Sequence, residues 1–402
     1  MIKFFLTNKS IPLSLILIML LPILVTLLLS FNQVALADSE SNNDQEDNWI
    51  KGILLIAISF LINNFINRDN EEPDDAAQLG DKPLVEENQE SSGKEVLGFY
   101  VNWITPYANS YDALDDYSSN IDMVAPFWYT LNPDGSIENR YGGHQYEVTS
   151  LANNRNIEVL PLINNNQSNN MILVDPETRE KAINNVVDLV ENNDYDGVNI
   201  DFEYIPPWTR NGYTTFIKEL SRKLKSNDKT VTISVFPKID VSSDLHGAFD
   251  YEALAPHIDR MVIMTYDFNW STGPPGPIAP IDWVEKNIKY ALEYISKDKL
   301  ILGIANYGYN WSKNGAGTDV SAKEALALAE QHDKEIQWDS SAQTPHFNYQ
   351  TESEKREIWF EDSESLKYKL NLVEKYDIKG IGIWRLGNSE PEFWEVIEDK
   401  LR

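Results

Sequence analysis

Eight consecutive residues carry the densest reactive chemistry in this sequence: Asp196, Gly197, Val198, Asn199, Ile200, Asp201, Phe202 and Glu203. Along a strand successive side chains alternate faces, so Asn199, Asp201 and Glu203 share one side and Val198, Ile200 and Phe202 the other. Carboxylates two residues apart inside an apolar wall repel each other and are poorly solvated. One of the pair is therefore expected to hold a proton near neutrality. A carboxylic acid kept neutral at the mouth of a pocket is what cleavage of a glycosidic bond needs as general acid. The competing reading is a polar strand edge whose carboxylates are merely satisfied by neighbours, and three inward polar residues in a row make that arrangement costly.

Such residues need strand ends that open on a pocket, and the rest of the chain supplies the elements. From about Glu95 onward short β-rich runs alternate with helical ones. Strands are expected over residues 96–103, 123–129, 157–163, 197–202, 231–236, 261–266, 300–304 and 380–384. Eight of them predict an α/β fold, a closed (β/α)8 TIM barrel. The polar side of the fourth strand then faces the lumen, and Glu203 sits at its C-terminal end, where barrel enzymes keep their reactive groups. Helical runs over 180–191, 212–225, 281–296 and 363–375 fill several of the gaps. The longest gap, between strands seven and eight, holds a helix at 321–331 and strand-like pieces at 346–350 and 357–360, which predicts a small α+β insertion on the top face. An open doubly wound sheet is the competing architecture, but no Gly-rich phosphate loop follows any strand.

The chain has 402 residues, 34 Lys and Arg against 63 Asp and Glu, and a formal net charge of −29. Polyanion binding draws on clustered Lys and Arg, so nucleic acid is a poor partner. With 42% hydrophobic residues the chain has enough apolar material for a large core, and the acidity does not signal wholesale disorder. The absence of cysteine excludes disulfides, thiolate metal sites and a Cys nucleophile together. Lys3 and Lys9 precede an apolar run over residues 11–31, followed by Ala35-Leu36-Ala37 before Asp38. Residues 1–37 thus read as a signal peptide or a retained signal anchor, the two lysines staying inside and the bulk of the chain exported to the cell wall, the medium or the outer membrane face. Within 38–66, apolar residues recur at helical spacing from Trp49 to Ile66, which fits a helix on a membrane surface or against a partner, or else a buried helix of the main domain. Residues 67–94 read as a linker: between Asp69 and Glu90 lie nine acidic residues and one lysine, Lys82. Residues 95–402 form the catalytic barrel, with no internal repeat and no separate binding module.

The 196–203 segment resembles the catalytic signature of glycoside hydrolase family 18, the chitinase-like barrels, whose pattern is D-G-x-D-x-D-x-E. Met264-Thr265-Tyr266-Asp267 is similar to the family's M-x-Y-D at the end of strand six, and Gly380-Ile381-Gly382-Ile383-Trp384 to its last strand. Phe127-Trp128, Pro237-Lys238, residues 273–277 and residues 307–311 look like the branch containing bacterial spore-germination and cortex-lytic hydrolases. The resemblance covers residues 95–402 and implies a retaining mechanism in which the substrate's own acetamido oxygen attacks the anomeric carbon. It assigns Glu203 as the acid that later activates water, Asp201 as the holder of the acetamido N–H, and Tyr266 as a donor to the acetamido oxygen. Asp267 and Met264 would contact the sugar, and Trp384 would stack beneath it. Asn199, also placed among the substrate-binding residues, stands where many members have Asp. An amide there can still hydrogen-bond Asp201 but cannot share a proton with it. The change touches the version of the cycle in which the middle Asp turns between a protonated inner partner and the acid. It leaves the acid in place and reads as a subfamily variation.

Tyr100, Trp103, Trp128, Trp208, Trp270 and Trp311 fall at or just after predicted strand ends, where flat faces stack on pyranose rings, although an isolated Trp is more often packing than a subsite. Tyr100, Trp128 and Trp270 are carried forward as substrate-binding candidates. The five histidines, His144, His246, His257, His332 and His346, form no i, i+4 pair, so no metal and no cofactor is expected. The expected partner is a glycan containing N-acetylglucosamine, either peptidoglycan, spore cortex included, or a chitin-like polymer. Membrane association would come from the N-terminal segments, and a monomer is expected. A non-catalytic, surface-anchored glycan-binding barrel is the second reading, and the intact Glu203 counts against it.

Overall fold

The structure is a computed structural model that describes residues 93–103, 108–166, 170–312, 315–352 and 354–402. The expected export segment, the 49–66 helix and most of the acidic linker lie outside the described residues. Among the described residues no helix is long and apolar enough to cross a membrane.

Eight parallel strands close on themselves: β1 (Glu95–Tyr100), β2 (Met123–Leu131), β3 (Leu162–Asn165), β4 (Gly197–Asp201), β5 (Thr230–Val235), β6 (Arg260–Ile263), β7 (Leu300–Ala305) and β8 (Gly380–Trp384). Each pairs with its neighbours in chain order, and β1 closes the ring by pairing with both β2 and β8. Gly197 opens β4 because a Cβ there would sit 2.0 Å from the Thr230 carbonyl oxygen, so only a residue without a side chain lets β5 approach. The lumen below the site is filled by Leu97, Phe99, Met123, Ala125, Leu160, Leu162, Val262 and Ile301. A larger core lies between the barrel wall and the helices, so the strands are buried on both faces.

The helices form for local reasons. Pro176–Asn192 starts with proline in its first turn, and the Asp175 side chain caps it by accepting from the Thr178 N–H at 2.7 Å. Ala182, Ile183, Val186 and Val190 form its buried stripe. Ser363–Lys375 begins with a capping box between Asp362 and Ser365.

The expected insertion is present. Five antiparallel strands, Thr318–Ser321, Tyr307–Ser312, Lys355–Phe360, Thr344–Gln350 and Gln337–Asp339 in sheet order, carry the helix Ala322–Gln331. Tyr307–Ser312 follows β7 after one residue. Tyr307, Tyr309, Trp311 and Trp359 form an apolar seam against which Tyr266 and Trp384 pack, tying the insertion to the barrel mouth.

Candidate active site

Asn199, Asp201 and Glu203 leave β4 on the lumen side, as alternation requires. Asn199 is fully buried, and its amide bonds sideways to β5: Nδ2 donates to Thr232 Oγ1 at 2.9 Å, and Ser234 Oγ donates to its Oδ1 at 3.1 Å. The bond that an amide there can make to Asp201 is not among them, and Asn199 has no exposed surface to offer a substrate. Asp201 Oδ1 is buried without a hydrogen-bond partner. Burial and the adjacent Glu203 charge push the Asp201 carboxyl well above the usual carboxylate range.

Glu203 lies two residues past the end of the strand, and its backbone is gripped by β3. Its N–H donates to Asn165 Oδ1 at 2.7 Å, while Asn165 Nδ2 donates to its carbonyl at 2.9 Å. Tyr204 then turns the chain through a left-handed conformation at φ 54°. Desolvation, followed by the charge of Asp267, pushes the Glu203 carboxyl up to about 7. The acid therefore holds its proton to far higher pH than an exposed glutamate does. Asn165 was not among the expected site residues, although the run Asn164-Asn165-Asn166 at a strand end carried a signal for it.

Tyr266 and Asp267 follow β6. The Tyr266 ring passes β7 at Gly303, where a Cβ would lie 3.0 Å from Cε1, so a side chain there would displace the ring. Asp267 is also left-handed, at φ 58°. Its Oδ1 accepts from Tyr307 at 2.6 Å and Tyr309 at 2.9 Å, both from the insertion. Desolvation raises the Asp267 carboxyl, and these two phenols oppose that shift. Burial and the charges of Asp201, Glu203 and Asp267 hold the Tyr266 hydroxyl in its neutral, donating form.

These groups line a cleft of about 800 Å³, together with Met264, Trp270 and Trp384. Trp384 closes the floor at the top of β8, with Phe99 5.6 Å and Phe127 6.4 Å away between ring centroids. Trp270 is 53% exposed on a loop whose Asn269 Nδ2 donates to the Pro277 carbonyl at 2.9 Å. Lys238, from another quoted motif, is structural: Nζ donates to the His246 and Phe249 carbonyls at 2.7 and 2.6 Å.

Two expected sugar platforms need correction. Tyr100 and Trp128 are buried and point outward from the barrel wall, where Tyr100 donates to Gln145 Oε1 at 2.8 Å and Trp128 Nε1 to Asn102 Oδ1 at 2.7 Å. The lumen side of the same strands carries Phe99 and Phe127. Strands buried on both faces lack the apolar-polar alternation that would have told the two sets apart. Trp311 is buried in the insertion seam. Trp208 is exposed but does not line the cleft. Trp103 is half-buried and does not line the cleft, with its ring 4.8 Å from Tyr141 and 6.4 Å from Phe127.

A barrel with elevated carboxylic acids and a neutral tyrosine at its C-terminal mouth is equipped for general acid-base catalysis. Residues 95–389 match Glycosyl hydrolases family 18, and the chain belongs to that family. It is similar to the cortical fragment-lytic enzyme of Bacillus anthracis, 32% identical over 298 residues, which are 70% of this chain and 68% of that protein. The corresponding Bacillus subtilis (strain 168) enzyme is 30% identical over 269 residues, 63% of this chain, and the match spans 62% of that relative's length. Among solved structures, the Bacillus cereus spore cortex-lytic enzyme SleL superposes with a TM-score of 0.71 at 28% identity, covering 77% of this chain and 75% of that one. A Chromobacterium violaceum chitinase gives 0.72 at 26% identity, covering 76% and 98%.

Proposed function

We propose that this protein is a retaining glycoside hydrolase that cleaves β-1,4 bonds at N-acetylglucosamine residues of peptidoglycan or a chitin-like glycan by substrate-assisted catalysis. Glu203 carries the reading: it is an acid raised to about 7 on a clamped backbone at the end of β4, beside a second carboxyl that faces the cleft without a partner. In this scheme protonated Glu203 gives its proton to the leaving glycosidic oxygen while the substrate's acetamido oxygen closes on the anomeric carbon. The unpartnered Asp201 Oδ1 accepts the acetamido N–H, a bond that favours its ionised form, and the carboxylate then stabilises the oxazolinium that forms. Tyr266 donates to the acetamido oxygen, Asp267 binds a sugar hydroxyl, and Trp384 supports the ring face. Glu203, now ionised, takes a proton from the attacking water, and two inversions at one carbon retain its configuration.

Similarity to proteins named cortical fragment-lytic enzymes favours peptidoglycan, spore cortex included, over chitin. A non-catalytic glycan-binding barrel has no use for a raised acid on a clamped backbone. Lys3, Lys9 and the apolar run at 11–31 support export, either free or anchored on the outer membrane face, with the barrel working as a monomer. Glu203→Gln should abolish release of reducing ends from purified cortex, vegetative wall and chitooligosaccharides while binding persists. A fully active variant would remove Glu203 from its role. Mass analysis showing new reducing N-acetylmuramic acid ends in place of N-acetylglucosamine ends would overturn the bond specificity.

A further inference from the structure

Cations are scarce in this acidic chain, and most arginines are committed. Among the nine described arginines, Arg155, Arg179, Arg210, Arg260, Arg356 and Arg402 each pair with a carboxylate. Arg140, Arg222 and Arg385 make no such pair; Arg222 lies on the helix Arg210–Lys225, whereas Arg385 directly follows the cleft-lining Trp384 and Arg140 packs on Phe127, whose ring lies 6.4 Å from that of Trp384.

Arg385 follows the cleft floor residue Trp384 directly. Its backbone is held on both sides by Asn306, which accepts from its N–H at 2.9 Å and donates to its carbonyl at 2.7 Å. The guanidinium lies 5.4 Å from the centre of the Trp103 ring. Its Nη1 is buried without a hydrogen-bond partner. Asp319 lies near enough to act through its charge, but at no ion-pair distance. Arg140 sits across the same aromatic patch, 4.8 Å from the centre of Phe127 and 5.3 Å from that of Tyr141. Its Nη1 donates to Thr130 Oγ1 at 3.2 Å and Asn164 Oδ1 at 3.4 Å, and Asn164 adjoins the Asn165 that grips Glu203. Ring faces fix both guanidiniums and reduce the conformational freedom lost when a ligand arrives.

A buried guanidinium N–H with no acceptor is costly unless an incoming group supplies one. The acceptor that repays a cation best is an anion, and a planar fork fits a carboxylate. We infer that Arg385 and Arg140 form a carboxylate-recognition site beside the cleft, on the Trp103 and Phe127 rings that adjoin its floor residue Trp384, which selects glycans whose aminosugars carry an acid, such as the lactyl ether of muramic residues, over neutral chains. The inference rests on the glycosidase reading above and names the substrate class of that same cleft. The site also answers an electrostatic problem: a chain of net charge −29 repels an anionic polymer except where cations are left unneutralised.

The test uses one muramic-containing glycan fragment in two forms, with its lactyl carboxylate free and with that carboxylate converted to the methylamide. The readout is the ratio of kcat/KM for the free acid to that for the methylamide. Wild type should favour the acid about tenfold, as for loss of one charge-assisted hydrogen bond. Arg385→Gln and Arg140→Gln should bring the ratio toward one, with Arg385→Lys intermediate. A ratio of one in wild type, or an undiminished ratio in both Gln variants, overturns the inference while leaving the glycosidase standing. Wild type that cleaves neither form nor a neutral chitooligosaccharide refutes the glycosidase and the inference with it. A second measurement avoids dependence on the arginine variants' folding: in the Glu203→Gln protein, affinity for the acid form should fall with added salt and that for the methylamide should not. Equal salt dependence of the two counts against the site.

Discussion

Glu203→Gln should stabilise the protein at alkaline pH while disabling it. Folding moves the Glu203 carboxyl from 4.5 up to about 7. The folded state therefore binds this proton more tightly than the unfolded chain does. Wild-type stability from this group is present in full below about 4.5 and is lost as pH rises through about 7. That displacement corresponds to at most about 3 kcal/mol. Asp201, raised beside it, shares the titration, so part of this stabilisation belongs to the pair. Glutamine keeps the shape and cannot ionise, so the variant escapes the loss. Urea denaturation followed by tryptophan fluorescence at pH 5 and pH 8.5 reads the difference. The two proteins should differ little at pH 5, and the variant should be the more stable at pH 8.5 by up to ~3 kcal/mol, or ~5 °C in Tm for a domain of this size. Turnover at pH 5, where wild-type Glu203 is protonated, should fall by roughly 10²- to 10⁴-fold, as for loss of a general acid. An equal stability difference at the two pH values would refute the burial argument, even if activity were lost as expected.

Other outcomes follow from the same geometry. On a neutral chitooligosaccharide, kcat/KM should decline above pH about 7 as Glu203 ionises, and a flat profile to pH 9 would exclude it as the acid. Tyr266→Phe should lower kcat by about 10- to 100-fold with a small change in KM, because its hydroxyl acts on the acetamido oxygen as the ring closes; steady-state kinetics check this. Replacing both Tyr307 and Tyr309 by Phe removes the donors that hold the Asp267 carboxyl down. Its titration, followed by NMR, should move to higher pH. Lys369 and Glu361 form a buried pair, so Lys369→Met alone should cost about 3–5 kcal/mol in urea unfolding, whereas Lys369→Met with Glu361→Gln should recover much of it.

The relation between sequence and structure differs from element to element. The eight strands and the helices at 281–292 and 363–375 were legible because hydrophobic period, caps and turn residues agree there. The strand Tyr307–Ser312 was visible only as a motif; it sits between Thr318–Ser321 and Lys355–Phe360, and the second of these lies more than forty residues along the chain. Its two tyrosines thus reach Asp267 through a contact that no local pattern records.

Short-range covalent geometry let the sequence by itself place Asn199, Asp201 and Glu203 on one face, with the acid just past a strand end. Side-chain alternation needs nothing beyond a strand. The acid's environment came from elsewhere. The Asn165 grip, the turning of Asn199 toward Thr232 and Ser234, and the desolvation that raises Glu203 all depend on which strands become neighbours. The same holds for the choice of Phe99 and Phe127 over Tyr100 and Trp128, because a wall buried on both sides removes the alternation that marks an inner face. Residue types and their order determined which chemistry was available, and closure of the barrel decided which groups lost water, which found partners and which were left facing the cleft.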